Sequence, residues 1–91
     1  MKIKGEIRPR FLRVNYWEPT NFGNILTVAK YFRAIVDAKR FAKRIAKRMQ
    51  KKYQESIWVV QPLIEIVDEC DNVIMAWRME NGKVVGYQKS N

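Results

Sequence analysis

The residues with the strongest chemical character are eight lysines and arginines crowded between positions 39 and 52. No acidic residue interrupts them, so this stretch can attract an anion and cannot balance its own charge. The eight are Lys39, Arg40, Lys43, Arg44, Lys47, Arg48, Lys51 and Lys52. Lys and Arg clustered along one helix are typical of surfaces that contact nucleic-acid phosphates. The spacing therefore predicts a binding surface for a polyanion.

This clustering of positive charge has an energetic cost. The eight cations form six i,i+4 pairs of like charge, each of which destabilises a helix by roughly 0.2–0.5 kcal/mol. A helix that needed only solubility would mix Glu among the Lys. The alternative is a solvated face whose long aliphatic stems cover the core, as in many basic proteins. We favour an anionic partner because none of these pairs is relieved within the stretch.

The length of the cationic stretch fits a polymer better than a small anion. At about 1.5 Å per residue, residues 39–52 extend roughly 20 Å, which runs beside roughly six phosphates at 3.4 Å each. Neutralising that many phosphates predicts a slope near −5 for log K against log salt on duplex DNA. We expect backbone contacts without a base code, because the cationic face offers no Asn or Gln for base edges. We expect no membrane contact, because the apolar side of the helix should pack on a sheet.

A second group of cations lies near the start of the chain, before and within the first predicted strand. Arg8, Arg10 and Arg13 are candidate contacts for nucleic acid or another partner, and Lys2 and Lys4 lie nearby. Aromatic residues interleave with these cations or follow them: Phe11, Tyr16, Trp17 and Phe22. Aromatic rings among cations can stack unpaired bases. We expect these rings to pack on the sheet, with base stacking as the alternative.

The residue types needed for common catalytic sites are missing. The chain has no histidine, which removes Ser-His-Asp and Cys-His nucleophiles and imidazole zinc sites. Cys70 is the single cysteine and has acidic neighbours, which disfavours a reactive thiolate. The acidic residues between Glu65 and Asp71 lack the spacing of a calcium loop and are expected to form a solvated turn. We therefore expect no enzyme activity, no metal and no cofactor.

The first half of the chain predicts two strands and a helix. Residues 10–17 alternate as in a strand, and residues 18–24 are rich in turn formers. Residues 25–33 are β-branched and aromatic enough for a second strand, although one helix over residues 24–53 also fits them. Residues 35–53 give the clearest helix, because seven apolar side chains share one arc and the cations fill the rest.

The second half of the chain returns to the alternation of strands. Residues 57–60 and 63–67 predict one strand interrupted by Pro62, which lacks an N–H and so indicates an edge strand or a bulge there. Residues 68–72 predict a turn, and Trp58 is assigned to the core.

A hairpin closes the predicted fold. Residues 73–80 and 83–87 flank Asn81-Gly82, a strong type I′ turn signal, and Trp77 is assigned to the core. The order is β-β-α-β-β-β, which predicts an α+β domain with an antiparallel sheet of four to five strands and one basic helix across it.

Length and charge set the wider context. The chain of 91 residues is expected to form one domain over residues 1–91. Residues 1–53 carry a net charge of +12 and residues 54–91 carry −3, which together give +9. The chain shows no secretory signal pattern, and its lone cysteine forms no internal disulfide, so we expect a cytoplasmic protein.

Three functions are compatible with these features. The leading hypothesis is a non-catalytic module that binds the backbone of DNA or RNA through the basic helix. The alternative is a protein-binding inhibitor or adaptor that docks on an acidic or nucleic-acid-binding groove. Phage-encoded inhibitors of host defence, including anti-CRISPR proteins, share this format by analogy of size and charge. A third hypothesis is a homodimer formed through the edge of the strand at residues 57–67.

Overall fold

The computed structural model describes residues 11–55 and 61–88. Within them, five strands and one helix follow one another in the order β-β-α-β-β-β. The elements are β1 (Leu12–Thr20), β2 (Gly23–Phe32), α1 (Ile35–Tyr53), β3 (Leu63–Val67), β4 (Val73–Glu80) and β5 (Lys83–Gln88). This arrangement confirms the predicted class, an α+β domain with one helix on an antiparallel sheet.

The sheet presents one face to the helix and the other to solvent. Its strand order is β2-β1-β3-β4-β5, and every neighbouring pair is antiparallel. α1 lies across one face and contacts all five strands. The core between the two layers consists of Val14, Tyr16, Ile64, Ile66, Trp77 and Met79 from the sheet and Ala38, Ala42, Ile45, Ala46, Met49 and Tyr53 from the helix. Side chains alternate along each strand, so the residues adjacent to these core residues point to the outer face of the sheet.

The helix has the bounds predicted from its periodicity, residues 35–53. Six of the seven residues on the predicted apolar arc are buried, and Ile35 at the first turn is 36% exposed. The alternative of one helix over residues 24–53 is wrong, because β2 pairs with β1 along its length. Asp37 in the first turn and Lys51 and Lys52 in the last turn complement the helix dipole.

The first hairpin is longer than predicted. Residues 18–24 were expected to form a loop, but β1 continues to Thr20 and the turn contains only two residues. Pro19 is buried within this extension. It lies beyond Trp17, the last residue of β1 that pairs with β3, so its missing N–H interrupts no pairing between those strands.

The prediction of an edge strand at Pro62 is wrong. β3 pairs with β1 on one side and with β4 on the other, which makes it the central strand of the sheet. Pro62 is tolerated because it precedes Leu63, the first residue of the ladder, and its side chain is buried. The irregularity in pairing lies instead between Ile66 and Val67. Residues 57–60, predicted to begin this strand, lie outside the described residues.

The predicted second hairpin is confirmed at residues 73–88. Asn81 and Gly82 both have positive φ, at 53° and 79°, as a type I′ turn requires. Trp77 is buried in the core, as predicted. Trp58 lies outside the described residues.

Candidate functional site

The cations of α1 form two parallel rows on its solvent side. The lysine row consists of Lys39, Lys43, Lys47 and Lys51, and the arginine row consists of Arg40, Arg44, Arg48 and Lys52. Members of each row are four residues apart and therefore lie about 6 Å apart along the axis. All are exposed except Lys39, which is half-buried. The side of α1 that faces the sheet is narrow enough to leave room for both rows, and three of its six buried residues are alanines.

Only two of the eight cations have a carboxylate partner among the described residues. Lys52 lies 2.9 Å from Glu18, and Arg40 lies 3.5 Å from Asp37 one helical turn away. No carboxylate of the described part of residues 54–91 pairs with either row. We call the remaining six residues the cationic surface: Lys39, Lys43, Arg44, Lys47, Arg48 and Lys51. Its charge is not neutralised by the described part of the sheet.

Glu18 anchors the C-terminal end of the arginine row to β1. Its Oε2 accepts hydrogen bonds from Lys52 Nζ at 2.9 Å, Tyr53 Oη at 2.8 Å and Tyr16 Oη at 3.0 Å. Burial acts to raise the pKa of Glu18, but these three donors outweigh it and hold the pKa below its usual value. The same contact with Glu18 raises the pKa of Lys52. Because its charge is paired with Glu18, Lys52 stabilises the fold and is less available to a partner.

Lys30 is a cation near the site that lies outside the predicted set of contacts. Its Nζ lies 5.0 Å from the centre of the Phe41 ring and 5.6 Å from that of Phe32. The two rings contact each other with centroids 5.3 Å apart. Side chains alternate along β2, which places Lys30 and Phe32 on the face covered by the helix. This alternation could not be read from the sequence with certainty, because the residues of β2 also fit a helix. Lys30 thus adds a positive charge beside α1.

Arg13 does not join the cations of α1. Its neighbour Val14 is in the core, so Arg13 points to the outer face of the sheet. There its guanidinium donates to Asp71 at 3.0 Å and to Asn15 Oδ1 at 3.0 Å. Arg8 and Arg10, the other two predicted contacts of this group, lie outside the described residues, as do Lys2 and Lys4.

The aromatic residues predicted near these cations do not form one stacking platform. Tyr16 is buried in the core beneath α1, while Trp17 is half-buried on the outer face. Phe11 is 39% exposed, and Phe22 is 99% exposed at the tip of the first hairpin. Tyr16 and Trp17 thus pack within or on the sheet, as predicted, whereas Phe22 does not.

The main chemical feature of the described residues is the positive charge of the cationic surface. Cys70 is exposed, and no three carboxylates or thiols of the described residues converge on a metal-sized site. In the same ranges, no helix has both the length and the hydropathy of a membrane span. What the arrangement can do chemically is hold phosphates or carboxylates by charge. The chain matches no protein-family model, no curated protein and no solved structure.

Proposed function

We propose that this protein binds the phosphate backbone of nucleic acids through the cationic surface of α1, with little sequence preference and without catalysis. The observation that supports it is the six cations on one helix that have no carboxylate partner among the described residues. Electrostatic contact of this kind supplies most of non-specific nucleic-acid affinity. The cytoplasmic location expected from the sequence belongs to the same proposal.

Energetics favour a bound polyanion. Four i,i+4 pairs join members of the cationic surface: 39/43, 43/47, 47/51 and 44/48. Each costs roughly 0.2–0.5 kcal/mol, so together they destabilise the free helix by about 1–2 kcal/mol at low salt. The macrodipole offsets this only near Lys51. A row of phosphates would remove the repulsion and release the counterions that the phosphates hold.

The polar side chains near the two rows support contact with backbone rather than with base edges. Gln50 lies beside the lysine row, but its Oε1 accepts the backbone N–H of Val84 at 3.1 Å. It is therefore used to dock the second hairpin on α1. The cationic surface itself holds only Lys and Arg, whose charges contact phosphates without requiring a base.

Binding of a fluorescein-labelled 20-base-pair DNA duplex, followed by anisotropy at 50 mM salt, tests this function. We expect saturable binding that weakens steeply as salt is raised. The triple variant Lys43→Gln, Lys47→Gln, Lys51→Gln should lose most of the affinity. Lys83→Gln, an exposed lysine on β5, is the control and should bind almost as well as the parent protein. No binding to duplex or single strand at 50 mM salt would overturn the proposal.

A protein-binding inhibitor or adaptor is the second candidate. It is favoured by the outer face of the sheet, where large apolar groups remain uncovered, including Tyr31 at 61% and Leu26 at 44% exposure. Uncovered apolar area of this kind is typical of protein-interaction surfaces. A pull-down repeated after nuclease treatment separates the two functions, because a partner that binds directly remains and one bridged by nucleic acid is lost.

A further inference from the structure

A cleft of about 400 Å³ separates α1 from β2 on the side of the arginine row. Its floor is apolar and consists of Val28 from β2 together with Phe41 and Ile45 from α1. Ile45 is buried, whereas Val28 and Phe41 are half-buried and open to the cleft. The volume lies within the range of roughly 300–1,000 Å³ that small-molecule sites occupy. A flat apolar group of modest size would fit against this floor.

Two members of the cationic surface line the same cleft. Arg44 and Arg48 are exposed, and neither has a carboxylate partner among the described residues. They are one turn apart in the arginine row, so a phosphate group could lie between their guanidinium groups. Arginine binds phosphate with paired, directional hydrogen bonds, which fixes orientation as well as charge.

A carboxylate lines the cleft beside these groups. Glu18 uses Oε2 for all three of its hydrogen bonds, to Lys52, Tyr53 and Tyr16. Its Oε1 accepts no hydrogen bond from the described residues, although the side chain is only 18% exposed. The lowered pKa of Glu18 keeps the group ionised at neutral pH. The cleft therefore offers an anionic acceptor to a ligand that carries an N–H donor.

A β-bulge lies at the edge of the cleft. Tyr16 pairs with Val28 and Trp17 pairs with Leu26, so Thr27 is an extra residue in β2. Its Oγ1 donates to the backbone oxygen of Tyr16 at 3.2 Å, which holds the bulge in place. Bulges bend a strand locally and often lie beside binding sites. Here the bulged residue itself lines the cleft.

We propose that this cleft binds one unpaired nucleotide whose base carries an exocyclic amino group, cytidine being the smallest example. The base lies against Val28 and Phe41, its amine donates to Glu18 Oε1, and its phosphate is held by Arg44 and Arg48. Uracil has a carbonyl oxygen where cytosine has the amine, and the carboxylate of Glu18 would repel that oxygen. The base must be unpaired, because in a duplex its amine is already used and its faces are stacked.

This inference rests on the proposed function, because the nucleotide would belong to a nucleic-acid strand held by the cationic surface. It adds a preference among bases. Two measurements test it. The first titrates methyl-labelled protein with cytidine 5′-monophosphate or uridine 5′-monophosphate and follows the methyl signals of Val28 and Ile45. The second compares oligo(dC) with oligo(dT) of equal length by anisotropy at 50 mM salt. We expect about tenfold weaker binding of the uridine nucleotide, the scale of one hydrogen bond to a charged acceptor.

Two matched substitutions locate the effect. Val28→Phe fills the cleft and should abolish the preference for oligo(dC) while leaving duplex binding unchanged. Val84→Phe is the control, because Val84 is also half-buried but lines a separate depression between α1 and β5, beside Lys47 and Lys51. It should keep the preference. Thermal melts of both variants show whether the fold is intact.

The outcomes for the cleft and for the backbone contact are distinguishable. Equal binding of oligo(dC) and oligo(dT), with no methyl shifts from cytidine 5′-monophosphate, overturns the cleft and leaves the backbone contact standing. Methyl shifts without any oligonucleotide binding support the cleft and overturn the backbone contact. A preference for oligo(dC) that survives Val28→Phe also overturns the cleft, because the base would then be recognised elsewhere.

Discussion

The Nζ of Lys52 lies 2.9 Å from Oε2 of Glu18, which joins the last turn of α1 to β1. The same oxygen accepts hydrogen bonds from Tyr53 and Tyr16, so one carboxylate holds a lysine and two tyrosines. Lys52 belongs by sequence to the basic run of α1, but its main contact is inside the protein. Membership in a charged run therefore does not by itself assign a residue to the binding surface.

The contact with Glu18 predicts acid sensitivity. The pKa of Glu18 is lower in the folded protein than its usual value near 4.5. The stabilisation it gives is therefore fully present above that value and is lost as the pH falls through the lowered, folded-state pKa. Glu18→Gln should lower the melting temperature at pH 7, and the difference from the parent protein should shrink at pH 3.

Thermal melts at the two pH values check this prediction. Glu55→Gln is the control, because Glu55 is exposed just beyond the end of α1. It should melt like the parent protein at both pH values. A difference between Glu18→Gln and the parent that stays constant from pH 7 to pH 3 would show that the carboxylate charge does not stabilise the fold.

Local patterns in the sequence were enough to predict several elements with their limits. α1 has the bounds set by its apolar arc, and β4 and β5 flank the turn at Asn81-Gly82. These features depend on residues close together in the chain, where helical periodicity and backbone conformation at Gly act directly. The clustering of cations on the solvent side of α1 was predictable for the same reason.

The remaining features depend on contacts between distant parts of the chain. Pro62 suggested an edge strand, but β3 is central because β1 and β4 pair on its two sides. The partner of Lys52 is 34 residues away along the chain, at Glu18. Lys30 reaches Phe41 only because α1 packs beside β2. No periodicity within a single segment contains this information.

A single charge within the lysine row should change the salt dependence of binding. Lys47→Gln removes an exposed cation that has no carboxylate partner among the described residues. If Lys47 neutralises one phosphate, the slope of log K against log salt on duplex DNA should become less negative by about 0.9. Lys83→Gln gives the same net charge but lies on β5, and its slope should match that of the parent protein. If Lys47→Gln and Lys83→Gln have the same slope, Lys47 does not contact a phosphate and the nucleic acid binds to another part of the surface.

The turn at Gly82 should tolerate no side chain. Its φ is +79°, and a Cβ there would lie 2.8 Å from the backbone oxygen of Gln54 at the end of α1. Gly82→Ala therefore combines backbone strain with a clash against main chain that cannot move aside easily, and we expect a loss of more than 1 kcal/mol. Gly23→Ala is the control, because its φ is +109° but nothing lies within 4 Å of the added carbon. Urea unfolding should show the larger loss for Gly82→Ala, and the reverse order would mean that the clash is relieved.

On the outer face of the sheet, Glu65 joins the side chains of two residues of β1. Its Oε1 accepts the indole N–H of Trp17 at 2.9 Å and the amide of Asn15 at 3.3 Å. Asn15 is 3% exposed, so loss of its acceptor leaves a buried donor unpaired. Glu65→Ala should cost about 1–3 kcal/mol in the free energy of unfolding. Glu65→Gln keeps an acceptor oxygen at nearly the same place and should recover most of that loss. If the two variants unfold at the same urea concentration, the charge of Glu65 rather than these hydrogen bonds stabilises the outer face.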